Sequence, residues 1–109
     1  MIRMAIALAL LPGAALAELN VQTNRYLCER GLELPVTYVN DGDTSVTILM
    51  VEGRHITLYG EVAASGARYG WPSDGSNYVW WSQGDTAMLL WKDETGEETP
   101  ILSTCALQQ

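Results

Sequence analysis

The chain has 109 residues, 13 of them acidic and 6 basic, for a formal charge of −7. Such a surface repels nucleic acid and anionic lipid and favours a basic protein partner, although acidity also serves plain solubility. With two cysteines and one histidine, too few ligands remain for a zinc site once the cysteines pair.

Residues 1–17 read as a segment apart. Arg3, the apolar run Met4–Leu11 and Ala15-Leu16-Ala17 form the positive start, apolar centre and small-x-small cleavage site of a secretory signal. The run is far short of the ~20 residues a spanning helix needs, and Pro12 and Gly13 are poor members of a short core helix. The expectation is a signal peptide over 1–17 and a single domain over 18–109, periplasmic or secreted. Loss of Arg3 takes the charge from −7 to −8. Glu18 stands where a bacterial lipoprotein would carry its lipidated cysteine, so the product is expected to be soluble, with no membrane anchor.

After residue 18, short runs of β-branched and aromatic residues recur: Arg25–Glu29, Leu34–Asn40, Ser45–Val51, Arg54–Gly60, Ala67–Trp71, Asn77–Ser82, Thr86–Lys92 and Thr99–Cys105. Several alternate. Val46, Ile48 and Met50 share one face against Thr47 and Leu49, and Ile56 and Leu58 alternate with His55 and Thr57. A period of two is what a half-buried strand requires. The gaps carry turn chemistry at Asn40–Asp43, Glu52-Gly53, Pro72–Ser76 and Asp93–Glu97. Strands at such spacing read as an all-β sandwich or barrel.

Cys28 in the first run and Cys105 in the last lie near the two ends of an exported domain. An oxidising compartment makes them a structural disulfide; no Cys-x-x-Cys spacing supports a redox pair. Joining the first strand to the last favours a closed barrel over a sheet with exposed edges. The fold predicted is therefore a single small antiparallel eight-stranded β-barrel closed by one disulfide. Trp80 and Trp81 are adjacent in a strand and must point to opposite faces, one in the core and one at a surface.

Enzyme chemistry finds little support. His55 reads as a surface residue of a strand, and neither a Gly-x-Ser-x-Gly elbow nor a phosphate-cradling loop is present. The acidic clusters Asp41–Asp43 and Asp93–Glu98 fall on turns, without the dense alternation of oxygen ligands that calcium needs. No metal and no cofactor is expected. Two segments remain. Ala63-Ala64-Ser65-Gly66-Ala67-Arg68-Tyr69 is a loop of small residues that leaves Ser65 unobstructed, and Trp81-Ser82-Gln83-Gly84-Asp85 ends a strand with a polar side chain.

With these two segments, the chain resembles the membrane-bound and periplasmic bacterial inhibitors of c-type lysozyme. The resemblance runs from Tyr26-x-Cys28 through Leu34-x-Val36-x-Tyr38 to Cys105-x-Leu107-Gln108. Its most specific part is Ser65-Gly66-Ala67-Arg68-Tyr69, which matches the family's Ser-Gly-x-x-Tyr signature. The resemblance implies a non-enzymatic protein whose partner is a c-type lysozyme, a basic protein. Ser65 then enters the lysozyme cleft and hydrogen-bonds a catalytic carboxyl, and Tyr69 supports the loop. Gly66, Ala67, Arg68 and Gly84 complete the expected lysozyme-binding set with Gln83.

Gln83 stands where the family's second motif, ending in Lys-Gly, has the lysine that pairs with the other catalytic carboxylate. An insertion around Pro72–Ser76 also lengthens the hairpin between Tyr69 and Gln83. Arg68 neighbours the loop and is a candidate to replace the missing charge, but alternation leaves open whether Arg68 or Tyr69 faces the cleft. The two departures leave a second reading, an envelope or adhesion-type binding module on the same barrel without lysozyme inhibition.

Overall fold

The computed structural model describes residues 18–109; the expected signal peptide lies outside the described residues. Eight strands follow in chain order: β1 Asn20–Cys28, β2 Glu33–Asn40, β3 Ser45–Val51, β4 Arg54–Glu61, β5 Ala67–Gly70, β6 Asn77–Gln83, β7 Thr86–Lys92 and β8 Glu98–Leu107. Each pairs antiparallel with its chain neighbour, and β8 returns to β1, so the sheet is a closed barrel. That is the architecture the alternation and turn residues imply.

Most strand boundaries shift by one or two residues from the sequence reading, and the first strand differs most in extent. β1 begins at Asn20 rather than Arg25, because Asn20–Asn24 extends the ladder against Val36–Asn40 of β2. A neutral run with Val21 as its only apolar residue carries little hydrophobic strand signal of its own, and here the partner supplies it. Glu29, read as the end of the first strand, lies in a 3-10 turn over Glu29–Gly31. There its carboxylate accepts the backbone N–H groups of Ser103 and Thr104. Pro100 is accommodated within β8 beside irregularities in the β7–β8 register, as expected of a residue that cannot donate to a ladder.

The closing seam is short. Only Tyr26↔Leu107, Leu27↔Ala106 and Cys28↔Cys105 pair across β1 and β8. The Cys28–Cys105 disulfide sits on that seam and spans 77 positions. Closing so long a loop is worth up to about 4.5 kcal/mol on the chain-entropy model.

Inside, Thr47 and Leu49 of β3, Leu58 of β4, Val36 of β2 and Leu89 of β7 are fully buried around Trp80 of β6. The other face of β3, with Val46, Ile48 and Met50, points outward, and Met50 is exposed. Thr47 satisfies its buried hydroxyl by donating to the Thr37 carbonyl at 3.1 Å. The Trp80 Nε1–H donates to the Tyr38 hydroxyl at 2.8 Å, which also shares a hydrogen bond with the Tyr26 hydroxyl at 2.9 Å. Tyr26 meets Trp80 edge to face at 5.1 Å between ring centroids, a favoured aromatic geometry.

Burial pushes the Tyr38 phenol well above the ordinary tyrosine range; the Trp80 hydrogen bond opposes this and Tyr26 adds to it. An unfolded tyrosine ionises near pH ~10. Above that pH the unfolded chain releases a proton that the folded chain retains, so Tyr38 makes stability fall as pH rises. Tyr38→Phe should lower unfolding free energy by about 1–3 kcal/mol, because the buried Trp80 N–H loses its acceptor. The same variant should flatten the alkaline loss of stability above pH ~10. Urea unfolding across pH measures both effects.

Candidate protein-binding end of the barrel

In an up-and-down barrel successive turns alternate between the two ends. The segments between β2 and β3, β4 and β5, and β6 and β7 therefore share one end, and these include the Ser65 loop and the Gln83-Gly84 turn. The Pro72–Ser76 hairpin falls at the opposite end, where Ser73–Gly75 share a hollow with Lys92–Gly96 of the β7–β8 turn. The lengthened hairpin is thus remote from Ser65.

The two candidate segments touch. Gly66 has φ +68°, and a Cβ there would strike the Ser82 carbonyl and stand 2.6 Å from Gln83 Cγ. Only glycine combines that left-handed backbone with so close an approach. Trp81, on the outer face, donates its indole Nε1–H to the Ser65 carbonyl at 2.9 Å. The backbone of Ser65 is held against β6 while the residue itself is exposed. Among the described residues its hydroxyl has no hydrogen-bond partner. Gln83 ends β6 with an exposed side chain, and its carbonyl accepts from Thr86 Oγ1 at 3.2 Å. Gly84, at φ +62°, turns the chain into β7.

Register resolves the Arg68–Tyr69 ambiguity. Tyr69 is opposite the inward Trp80 and packs on the core, 5.6 Å from the Tyr38 ring. Burial, with a smaller contribution from Tyr26, raises its phenol pKa. Tyr69 anchors β5 from inside. Arg68 is opposite Trp81 on the outer face, with its guanidinium 5.2 Å from that ring's centroid. Arg68 Nε donates to Glu61 Oε1 at 2.6 Å, and Nη2 pairs with Glu98. Desolvation lowers the guanidinium pKa, but Glu98 and then Glu61 outweigh it and raise the value. Engaged by two carboxylates, Arg68 is not the spare cation that could replace a lysine at position 83. Ala67, exposed at the start of β5, completes the loop opposite Ser82.

This end is negative. Asp41, Asp43, Glu61 and Asp85 stand at its turns and strand ends; the other end is acidic as well, its Glu29, Glu33, Glu52, Asp74, Asp93, Glu94, Glu97 and Glu98 outnumbering Arg30, Arg54 and Lys92. Val62, 99% exposed beside Glu61, adds an apolar tip to the Ser65 loop. A hollow of about 350 Å³ between Asp43, Glu61, Val62, Arg68 and Tyr69 flanks it. Among the described residues, no group of three or more His, Cys, Asp or Glu could hold a metal ion.

Sequence reasoning missed three participants: Trp81, Glu98 and Val62. Trp81 carried a signal, since one of two adjacent strand tryptophans had to face outward. Glu98 carried none, because its partner lies three strands away around the barrel.

Residues 26–98 match the family model described as membrane-bound lysozyme-inhibitor of c-type lysozyme. The chain belongs to this family. Among its relatives, a membrane-bound lysozyme inhibitor of C-type lysozyme from Pseudomonas aeruginosa is 34% identical over 90 residues, 82% of this chain and 66% of the relative. Its counterpart from Cupriavidus necator is 31% identical over 86 residues, 79% of this chain and 66% of the relative. This chain thus spans just under two thirds of the length of each.

Two solved structures extend the likeness. Pseudomonas aeruginosa MliC, in complex with hen egg white lysozyme, superposes with a TM-score of 0.66 at 27% identity, covering 97% of this chain and 99% of that one. PliC from Salmonella typhimurium, a periplasmic lysozyme inhibitor of C-type lysozyme, gives 0.69 at 26% identity, covering 83% and 100%. Members of the lysozyme-inhibitor family are thus named both membrane-bound and periplasmic. Among the described residues of this member, no helix is long and apolar enough to cross a membrane.

Gly66→Ala should dislodge the Ser65 loop from β6 without unfolding the barrel, since the collision lies at the rim and not in the core. Amide exchange at residues 63–67 should speed up at least severalfold while β2, β3 and β7 keep their protection. Hydrogen-exchange NMR reads both.

Proposed function

We propose that this chain inhibits a c-type lysozyme by plugging its catalytic cleft with the Ser65 loop and the Gln83 turn. It acts by binding and not by catalysis. The observation that carries the reading is the contact between the two segments: Gly66 against Gln83, with the Ser65 carbonyl tied to Trp81 and the Ser65 residue exposed. Family membership and a relative in complex with hen egg white lysozyme support it.

The chemistry of the target suits these two groups. A c-type lysozyme works with one carboxyl kept protonated as general acid and one ionised. A hydroxyl both donates and accepts, so Ser65 can satisfy a carboxyl in either state. Gln83 can donate from its amide to the ionised group, but without the charge assistance of an ammonium. The difference is on the order of 1–3 kcal/mol, or about ten- to a hundredfold in affinity. Since Arg68 is committed to Glu61 and Glu98, the contact relies on Gln83 alone. The net negative charge of the chain attracts a basic enzyme and speeds encounter.

We assign the site of action to the periplasm or the exterior, on the strength of the apolar run that ends in Ala15-Leu16-Ala17. The envelope or adhesion reading keeps one support, the neutral Gln83; the Pro72–Ser76 hairpin stands at the other end of the barrel and gives it none.

Inhibition of a c-type lysozyme on bacterial cell walls tests the proposal, with Ser65→Ala and Gln83→Lys beside the wild type. Ser65→Ala should lose inhibition and Gln83→Lys should tighten it about tenfold or more. An unchanged affinity in Gln83→Lys would remove Gln83 from the interface. Inert wild type with an inhibitory Gln83→Lys would mean that the fold persists and the function has drifted. The association rate should fall as salt rises from low to physiological strength; a salt-independent rate would argue against electrostatic steering.

A further inference from the structure

We infer that Arg68 is a positioning residue for the Ser65 loop, acting through Trp81, and that Glu98 on β8 is the anchor that holds it there. The inference rests on the inhibitory reading of that loop and adds residues that do not touch the partner. Its starting point is an arrangement that alternation alone does not produce. Arg68 leaves the outer face of β5 and reaches Glu98 on β8, so its bridge runs over β6 and β7. The outer faces of those strands carry the paired Val79 and Leu90, both buried and both outside the barrel core cluster. The Arg68 side chain is itself only 15% exposed.

Trp81 joins this bridge to the loop. One part of the side chain, the ring, lies 5.2 Å from the guanidinium carbon, within cation–π range. Another, the Nε1–H, donates to the Ser65 carbonyl at 2.9 Å. The same nitrogen stands 3.2 Å from where a Gly66 Cβ would be, so an indole that swings cannot do so without moving the loop. A guanidinium is suited to the task because its planar fork binds two carboxylates and its face stacks on an aromatic ring; an ammonium does neither. Glu61 fixes the near side of the fork and Glu98 the far side. The chain Glu98–Arg68–Trp81–Ser65 thus pre-orders a loop of small residues that has few contacts of its own, and ordering before binding is what preserves affinity.

Glu98→Gln tests this, because it removes the anchor's charge, keeps its shape and leaves the partner-facing end untouched. The exported protein carrying Glu98→Gln, Trp81→Phe or both is assayed for c-type lysozyme inhibition. In parallel the indole N–H protons are followed by NMR, the Trp81 signal being identified by its absence in Trp81→Phe. Glu98→Gln should weaken inhibition roughly three- to tenfold, the cost of ordering one further group on binding. It should also speed exchange of the Trp81 indole proton while the unfolding midpoint stays put. The double variant should be no weaker than Trp81→Phe alone, since both act through one link. A protected Trp81 indole in Glu98→Gln, or losses that simply add, would overturn the inference.

If Glu98→Gln lowers global stability, Arg68→Lys decides instead. It keeps the charge but lacks the fork and the stacking face, so the Trp81 indole should again lose protection; retained protection overturns the inference. A wild type that inhibits no c-type lysozyme sinks the inhibitory reading alone. The indole exchange then still decides whether Arg68 holds Trp81.

Discussion

Trp80 occupies the centre of the barrel with no exposed surface, and its N–H reaches the Tyr38 hydroxyl on β2, across the interior. An indole of that size fits one register. Slipping β6 by a single residue would turn Trp80 out and bring Trp81 in, exchanging a satisfied buried N–H for one torn from the Ser65 carbonyl. The same slip would drive Arg68's stacking partner into the core. Placement of one aromatic side chain therefore sets the inside of the barrel and, through its neighbour in sequence, the loop at its rim. The Tyr26–Tyr38–Trp80 cluster makes that register costly to leave, because each polar atom in it is paired.

Much of this was legible in the sequence, and the reasons are local. Alternation in Ser45–Val51 and Arg54–Gly60, and turn residues at Asp41–Asp43 and Glu52-Gly53, give strand existence and order without tertiary information. Two distant cysteines in a chain whose start reads as a secretory signal point to closure. The family resemblance located the Ser65 loop, and the same residues lie against the end of β6 as the structure has them. What stayed hidden depends on partners far away in sequence. Asn20–Asn24 became strand because β2 offered it a ladder, and Glu29 left its strand to cap the amides of Ser103 and Thr104. Arg68 could not be assigned a face until Trp80 fixed the register, and no local pattern tells that Glu98 would meet it.

The ends of the barrel divide two requirements that conflict in a small protein. The Pro72–Ser76 and Asp93–Glu97 turns lie at one end. The loops that converge on Ser65 lie at the other, with carboxylates and an arginine already neutralised. Sequence change at the first end leaves the second undisturbed, because the two communicate only through a closed sheet. Arg68 and Glu98 are the exception: their ion pair crosses two strands of that sheet, β6 and β7, along its outside.

Neutral recognition at the Ser65 end has a physical consequence if the partner is a lysozyme cleft. Burying an ionised carboxylate costs several kcal/mol unless a positive charge or enough hydrogen bonds replace its water. A lysine would supply the charge. Gln83 supplies an amide, and Asp43 and Asp85, carboxylates at the same end of the barrel, oppose rather than offset the buried negative charge. Such an interface favours a target whose cleft carboxylate has some other donor close by, or whose rim is rich in arginine and lysine that answer the carboxylates at this end of the barrel. Selectivity among lysozymes would then come from the rim, where charges set encounter and orientation, while Ser65 and Gln83 supply the fit within the cleft. A glutamine rather than a lysine at position 83 would on this view narrow the range of partners, and the carboxylates around the loop would define that range.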